Sequence, residues 1–200
     1  MEQLNLSKTA VLFTNTYNLG FPSSTFDIVI CGFMGWYDCF DFNNNKFIQH
    51  DTKSTKIIRV LRDGGRFICC SWEAQEDLAW MEKSILRYYP DILQDNEYLV
   101  QRPIGMSYEN SEGYAIIFRA AGFRDIEISR EKAEFVSTDE EELWRQMRSV
   151  GWETLLDKIE QNDADQYYRI KEAIFTDLQS RKQEDGIHFT KSVFYVSGIK

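Results

Sequence analysis

The chain has 200 residues, of which 43% are hydrophobic and 28% charged, a composition typical of a soluble globular protein. Its formal charge of -9 argues against a protein that binds duplex nucleic acid, because such proteins present a basic face to the phosphates. No apolar run approaches the roughly 18 residues of a membrane span, and the first residues lack the pattern of a signal peptide. We therefore expect a cytoplasmic protein without a membrane span.

Within residues 24–33, the run from Phe26 to Phe33 is almost continuously apolar and has a β-branched centre at residues 28–30. A short run without polar alternation is typical of a parallel strand that is covered on both faces. Gly32 and Gly35 follow, and the carboxyl ends of strands are where open α/β sheets bind ligands. The pattern predicts a central strand with the functional cleft just beyond it.

The other elements follow from apolar spacing, caps and breakers. Strands are predicted over residues 9–14, 66–72, 123–130 and 189–196. Helices are predicted over residues 52–62, 75–89, 111–121, 152–159 and 166–179, with another behind a candidate capping box at Thr138 and Glu141. Residues 63–65, Asp-Gly-Gly, are expected to end the first of these helices, and residues 91–110 form a candidate lid. This alternation predicts one α/β domain over residues 1–200, with a mainly parallel sheet and helices on both faces.

The cysteines are Cys31, Cys39, Cys69 and Cys70, and none forms a C-x-x-C pair. Three of them fall in predicted strands. Buried thiols in a reducing compartment are therefore favoured over disulfides or a metal site, and no metal ligand is predicted.

Three spaced motifs carry a family resemblance. Phe21-Pro22 leads into the strand at residues 26–29, residues 61–67 read L-R-D-G-G-R-F, and residues 118–123 read F-R-A-A-G-F. In order and spacing they resemble the class I S-adenosylmethionine-dependent methyltransferases, especially the small-molecule branch similar to the ubiquinone- and menaquinone-biosynthesis C-methyltransferases. Residues 142–144 and 149–152 resemble the tail of the same group, so the likeness runs from residue 9 to residue 196.

One departure from that family concerns cofactor binding. The family begins with a strand that ends in a glycine-rich G-x-G-x-G loop, and a second strand ends in an acidic residue that binds the ribose. The sequence contains no such loop after a strand. The resemblance therefore implies a Rossmann-like methyltransferase fold that is N-terminally truncated, with family strands 3 to 7 present and the first two strand–helix units absent.

The resemblance also implies cofactor-binding residues. Asn15 stands where the family usually carries an aspartate that accepts a hydrogen bond from adenine, and its amide oxygen can also accept one. Thr16 could offer its backbone N–H to the ring. The backbone of Cys31, Gly32 and Phe33 is expected to line the methionine and adenosine side of the cleft. The alternatives are a plain turn residue for Asn15 and packing for Cys31 and Phe33.

Two aromatic residues are candidates for substrate binding. Trp36 and Tyr37 could stack on a flat substrate or close over the sulfonium, whose positive charge suits an aromatic face. Packing is the alternative for both. His50 could act as a general base or could be a solvated loop residue. Catalytic residues remain unassigned, since methyl transfer from a sulfonium chiefly requires an in-line approach.

The expected function is S-adenosylmethionine-dependent methyl transfer to a small molecule, impaired in this chain because the glycine-rich loop is missing. The alternative is a catalytically inactive, truncated methyltransferase-like domain that acts as an interaction module. A dehydrogenase-type Rossmann domain would also need a glycine fingerprint. Without the family's first strand, the strand at residues 27–31 would have an unpaired edge, which favours self-association.

Overall fold

The structure is a computed structural model and describes residues 18–90 and 109–200. Its strands are β1 (Phe26–Gly32), β2 (Phe40–Asp41), β3 (Lys46–Phe47), β4 (Leu61–Gln75), β5 (Arg124–Ser137), β6 (Lys182–Gln183) and β7 (Gly186–Ile199). Its helices are α1 (Thr52–Val60), α2 (Glu76–Tyr88), α3 (Ser111–Ala121), α4 (Glu140–Met147), α5 (Glu153–Asn162) and α6 (Ala164–Leu178). A π-helical turn, Arg148–Trp152, joins α4 to α5. The predicted strand at residues 9–14 and most of the predicted lid lie outside the described residues.

The main sheet has the strand order β1-β4-β7-β5, and β6 pairs with β7 in an antiparallel hairpin. Lys200, just after β7, exchanges backbone hydrogen bonds with Gly64 and Gly65 near the start of β4. Thr190, early in β7, donates its backbone N–H to Glu76, just after β4. These contacts are those of antiparallel neighbours. The last strand, β7, therefore lies between β4 and β5 and is antiparallel to β4, as predicted.

The sheet is mixed, so the prediction of a mainly parallel sheet is wrong. The reason is local to the chain end. β6 and β7 are joined by two residues, and strands connected so tightly can pair only antiparallel. β7 lies between β4 and β5, so an antiparallel strand stands in the middle of the sheet.

β1 differs from the predicted central strand. In the described part of the chain it stands at the end of the strand order. Ile28 and Ile30 are 57% and 71% exposed, so one face of β1 is not covered. A continuous apolar run has no periodicity, and for that reason it could not show which of its residues the sheet would leave exposed.

The glycine pair at residues 64 and 65 also has a different role from the predicted helix end. α1 ends at Val60, and β4 begins at the next residue. Gly64 has a φ of 78°, in the left-handed region. A Cβ at Gly65 would lie 2.8 Å from the carbonyl oxygen of Arg62 and 3.1 Å from that of Asp27 in β1. The pair therefore lets β1 and β4 approach closely inside the sheet.

The N-terminus of α4 shows the predicted capping one residue further along. Asp139 accepts a hydrogen bond from the backbone N–H of Glu142 at 2.8 Å. The Glu142 carboxylate in turn accepts from the N–H and the hydroxyl of Thr138, at 2.6 and 2.7 Å. Val150, which the spacing placed on the apolar face of this helix, is exposed because the π-helical turn changes the phase of the face.

The described residues form two compact units. The first unit contains residues 18–69, 112–128 and 196–200, and the second contains residues 70–90, 109–111 and 129–195. β4, β5 and β7 contribute residues to both. The first unit buries many aromatic rings, namely Trp36, Phe40, Phe42, Phe67, Tyr114, Phe118 and Phe123. The core of the second unit is mainly aliphatic, with Leu78, Met81, Ile85, Leu143, Met147, Leu155, Leu156, Ile159, Ile170, Ile174, Leu178 and Ile187. It also contains four aromatic residues, Trp144, Trp152, Tyr167 and Phe189. The single domain expected from the sequence stays a prediction.

Candidate functional site

The carboxyl end of β1 brings three of the predicted cofactor residues together in succession. Cys31 is half-buried, whereas Gly32 and Phe33 are exposed. Phe33 has a φ of 55°, a left-handed conformation that costs a residue with a side chain about 1–2 kcal/mol. Strained residues of this kind persist where the surrounding structure holds them, and they cluster at ligand sites. We call residues 33–39 the β1 exit loop.

Trp36 anchors the β1 exit loop in the core of the first unit. The side chain is fully buried, and its Nε1 donates to the hydroxyl of Ser54 in α1 at 3.1 Å. Its ring packs edge-on against Tyr114 of α3, with centroids 5.2 Å apart. The ring is enclosed by protein, which corresponds to the packing alternative for this residue. Tyr37, its neighbour in the chain, is 54% exposed.

Lys53 fixes the same loop through its backbone. Its side chain is nearly buried, and Nζ donates to the carbonyl oxygen of Gly35 and to the Asp38 carboxylate, each at 2.6 Å. Nζ also lies 5.9 Å from the ring centroid of Trp36. Gln49 donates from its amide to the carbonyl oxygen of Asp38 at 2.6 Å. These hydrogen bonds tie the backbone of the β1 exit loop to Lys53 and Gln49.

The other predicted site residues are Asn15, Thr16 and the candidate base His50. Asn15 and Thr16 fall outside the described residues. His50 precedes α1 and lies on the wall of a cavity of 370 Å³ in the first unit, which we call the Asp51 cavity. Its proposed role as a general base stays a prediction.

A second cavity, of 710 Å³, lies in the second unit, and sequence reasoning missed it. We call it the Glu73 cavity. Its lining includes Glu73 of β4 and Arg130 of β5, which form an ion pair at 2.7 Å, together with Glu76 and Lys132. These charged residues come from separate strands and show no common spacing. The sequence feature that could have pointed to this cavity is the position of Glu73 directly after the strand predicted over residues 66–72.

Glu76, a second carboxylate of the Glu73 cavity, has two donors. It accepts hydrogen bonds from the backbone N–H of Thr190 and from Arg181, both at 2.9 Å. The Thr190 N–H, with Arg181, lowers the pKa of the Glu76 carboxyl below its ordinary value against the effect of burial. The cavity therefore presents fixed charges of both signs, which suits a polar ligand.

None of the helices described is long and apolar enough to cross a membrane. Within residues 18–90 and 109–200, no group of three or more His, Cys, Asp or Glu side chains is placed to hold a metal ion. The four cysteines are thiols, and those of Cys39 and Cys69 are buried.

The sequence matches no protein-family profile and no curated protein. Solved structures are nevertheless similar to the chain. A protein assigned as a type II methyltransferase from Anaeromyxobacter dehalogenans has a TM-score of 0.53 at 13% identity, covering 98% of this chain and 74% of that one. A protein assigned as a methyltransferase from Bacillus halodurans has a TM-score of 0.45 at 15% identity, covering 94% of this chain and 69% of that one.

A third structure, of lower similarity, contains ligands. It is the phosphoethanolamine N-methyltransferase 2 of Haemonchus contortus in complex with phosphomonomethylethanolamine and S-adenosylhomocysteine. Its TM-score is 0.38 at 18% identity, covering 93% of this chain and 36% of that one. The Anaeromyxobacter structure, whose TM-score is the highest of the three, establishes the fold class alone. The chain has a mixed α/β fold that resembles the Rossmann-like fold of S-adenosylmethionine-dependent methyltransferases over most of its length.

Proposed function

We propose that this protein binds S-adenosylmethionine at the carboxyl end of β1 and derives from methyltransferases that act on small molecules. A fold alone does not assign a function, so the proposal depends on the site. The observation that carries it is Phe33, exposed and left-handed directly after Cys31 and Gly32. The β1 exit loop that follows is fixed by Lys53.

The chemistry of the proposed site is that of an in-line displacement. The bond from the methyl group to the sulfonium sulfur breaks as the bond to the acceptor forms, and the protein contributes mainly orientation. The backbone of Cys31, Gly32 and Phe33 lines the cofactor in this proposal. Tyr37 is exposed on the same loop and faces the sulfonium or the acceptor, since an aromatic face attracts a cation.

Weak binding by the 200-residue chain is part of the proposal. The sequence has no G-x-G-x-G loop after a strand, so the amino-acid part of the cofactor lacks the cradle that this family normally provides. We therefore expect weak binding of S-adenosylmethionine and little or no methyl transfer by this chain on its own. Low-micromolar affinity in a calorimetric titration would contradict this expectation.

Two tyrosines allow a matched test of the site. Tyr37 and Tyr168 are each 54% exposed, but Tyr168 lies in α6 of the second unit. Y37A should lower the affinity for S-adenosylmethionine, which is a cation, more than the affinity for S-adenosylhomocysteine, which has a neutral sulfur. Y168A should change neither. Equal effects of the two variants would place the cofactor elsewhere.

Phe33 provides a second test. F33G removes the side chain and relieves the left-handed strain, so the free energy of unfolding should hold or rise. If Phe33 covers the cofactor, the affinity for S-adenosylhomocysteine should nevertheless fall. Unchanged affinity would remove Phe33 from the site.

A second candidate function, an interaction module, is favoured by the exposed Ile28 and Ile30 on β1. Strand edges that expose apolar residues tend to pair with other chains. I30K should then reduce self-association in sedimentation velocity experiments. A wild-type chain that stays monomeric at all accessible concentrations would argue against pairing with itself.

A further inference from the structure

We propose that the Glu73 cavity binds a small zwitterion of the amino-acid type, with its ammonium group on Glu73 and its carboxylate on Lys132. The volume of 710 Å³ falls within the range of about 300–1,000 Å³ that is usual for small-molecule pockets. The described lining residues all belong to the second unit, and none of them belongs to the β1 exit loop. The proposal therefore does not depend on the proposed cofactor site.

The charged lining residues share one face of the sheet. Glu73 is on β4 and Arg130 is on β5, with β7 between these two strands. Arg130 nevertheless reaches Glu73, since its Nε donates to the carboxylate at 2.7 Å, and its Nη2 donates to the hydroxyl of Ser111 at 2.7 Å. Lys132 also lines the cavity. It lies two residues beyond Arg130, so it points to the same face at a spacing of about 7 Å along the strand.

Two charged groups of the cavity remain available to a ligand. The side chain of Glu73 is 38% exposed, and within the described chain only its Oε1 receives a donor, which leaves Oε2 open. Lys132 is exposed and forms no hydrogen bond or ion pair with the described residues. An ammonium group on the first and a carboxylate on the second would each form a charge-assisted hydrogen bond.

The other charges around the cavity favour a ligand without net charge. The Glu76 carboxylate accepts from Arg181 at 2.9 Å, so a counter-ion is already in place. The Thr190 N–H contributes most to the lowered pKa of the Glu76 carboxyl, and the charge of Lys132 acts in the same direction. A simple anion on Lys132 would therefore also meet the fields of Glu73 and Glu76. A zwitterion places each of its charges beside an opposite one.

The rest of the lining is mostly polar and suits a hydrophilic side chain on the ligand. Thr190 and Ser192 of β7 and Gln75 of β4 are half-buried, and their side chains form no hydrogen bond within the described chain. Hydroxyl and amide groups both donate and accept. Apolar surface comes from the small residues Ala74 and Ala79. A polar amino acid such as glutamine is therefore a suitable probe.

Three related compounds test the proposal on the full 200-residue chain without cofactor. L-Glutamine is a zwitterion at neutral pH, L-glutamine amide lacks the carboxylate and is a cation, and N-acetyl-L-glutamine lacks the ammonium group and is an anion. In NMR or calorimetric titrations, L-glutamine should bind one-to-one and about tenfold more tightly than either derivative. No binding of L-glutamine, or equally tight binding of one derivative, would overturn the proposal.

Two substitutions of exposed side chains assign the charges. K132Q should lower the affinity for L-glutamine and N-acetyl-L-glutamine about tenfold and leave that for L-glutamine amide unchanged. E73Q should lower the affinity for L-glutamine and L-glutamine amide without lowering that for N-acetyl-L-glutamine. K158Q, at an exposed lysine of α5 in the same unit, should change none of the three. Wild-type affinity for L-glutamine in K132Q or E73Q, or an equal loss in K158Q, would overturn the proposal.

Discussion

The two units differ in the secondary structure that supplies their core side chains. In the first unit, Trp36, Phe40 and Phe42 come from the stretch between β1 and α1, which is loop apart from the two-residue strands β2 and β3. Both Trp36 and Phe42 contact the ring of Tyr114 in α3. In the second unit, the apolar side chains come mostly from α2, α4, α5 and α6. An irregular core depends on a few large rings in fixed geometry, whereas an apolar helix face distributes the same burial over many side chains.

Because of this contrast, we expect individual core side chains of the first unit to contribute more to the free energy of unfolding than those of the second. Trp36 packs, donates a hydrogen bond to Ser54 and lies beside Lys53. Ile174 in α6 is equally buried but contributes packing only. Cores tolerate aliphatic exchanges that preserve volume better than the loss of a large ring.

Replacing Trp36 by alanine should therefore have the largest effect. W36A removes a fully buried ring and should lower the free energy of unfolding by about 3–5 kcal/mol. I174V, at an equally buried site of the second unit, should cost only about 0.5–1.5 kcal/mol. Urea unfolding of both variants measures the difference. Similar losses would show that the two cores do not differ in the way described.

Lys191 tests an ion pair of the second unit. Its Nζ lies 2.6 Å from the Asp77 carboxylate, and the exposed fractions of the two side chains are 17% and 3%. K191M leaves a buried carboxylate without its partner, so we expect a loss of about 3 kcal/mol in the free energy of unfolding. The double variant K191M/D77L should recover part of this loss. A K191M protein as stable as the wild type would show that the folded state does not depend on this ion pair.

Lys53 makes the corresponding ion pair in the first unit. Asp38, its partner, is more exposed than Asp77, so K53M should cost less, about 1–2 kcal/mol. K53M should also weaken binding of S-adenosylhomocysteine, because Lys53 holds the carbonyl of Gly35 in the β1 exit loop. K191M should leave that affinity unchanged in calorimetric titrations. If K191M binds S-adenosylhomocysteine more weakly than K53M does, the β1 exit loop is not part of the cofactor site.

A smaller effect, dependent on pH, is expected at His188 in the second unit. Its Nε2 lies 2.8 Å from Asp185, and its Nδ1 lies 3.1 Å from Glu134. The hydrogen bond to Asp185, with the contact to Glu134, raises the pKa of His188 above its ordinary value of 6.5 against the effect of burial. The resulting stabilisation is complete below the unfolded-state pKa and is lost as the pH rises through the folded-state pKa.

The variant H188Q isolates this contribution. The urea midpoint of the wild type should exceed that of H188Q most near pH 6, where the carboxylates are ionised and the imidazole is charged, and the difference should shrink by about pH 8. If the urea midpoints of the wild type and H188Q differ by the same amount from pH 6 to pH 8, the stabilisation by His188 does not depend on the charge of the imidazole.

Local patterns in the sequence were sufficient for most of the helices. Apolar spacing predicted a helix over residues 75–89, and the structure has Glu76–Tyr88. The helix predicted over residues 166–179 is Ala164–Leu178, and Gly122 directly follows the end of α3 as expected. Spacing and end signals act within a few residues of one another, so they are visible without knowledge of distant contacts.

Tertiary structure decided the features that depend on residues far apart in the chain. It left Ile30 of the apolar strand exposed, and it enclosed Trp36 between α1 and α3. It also left one oxygen of Asp51 buried without a donor among the described residues. No local pattern distinguishes Asp51, which caps α1, from the other two aspartate caps, Asp139 and Asp163. The difference arises because burial and pairing are properties of the surroundings of a side chain, and distant segments supply those surroundings.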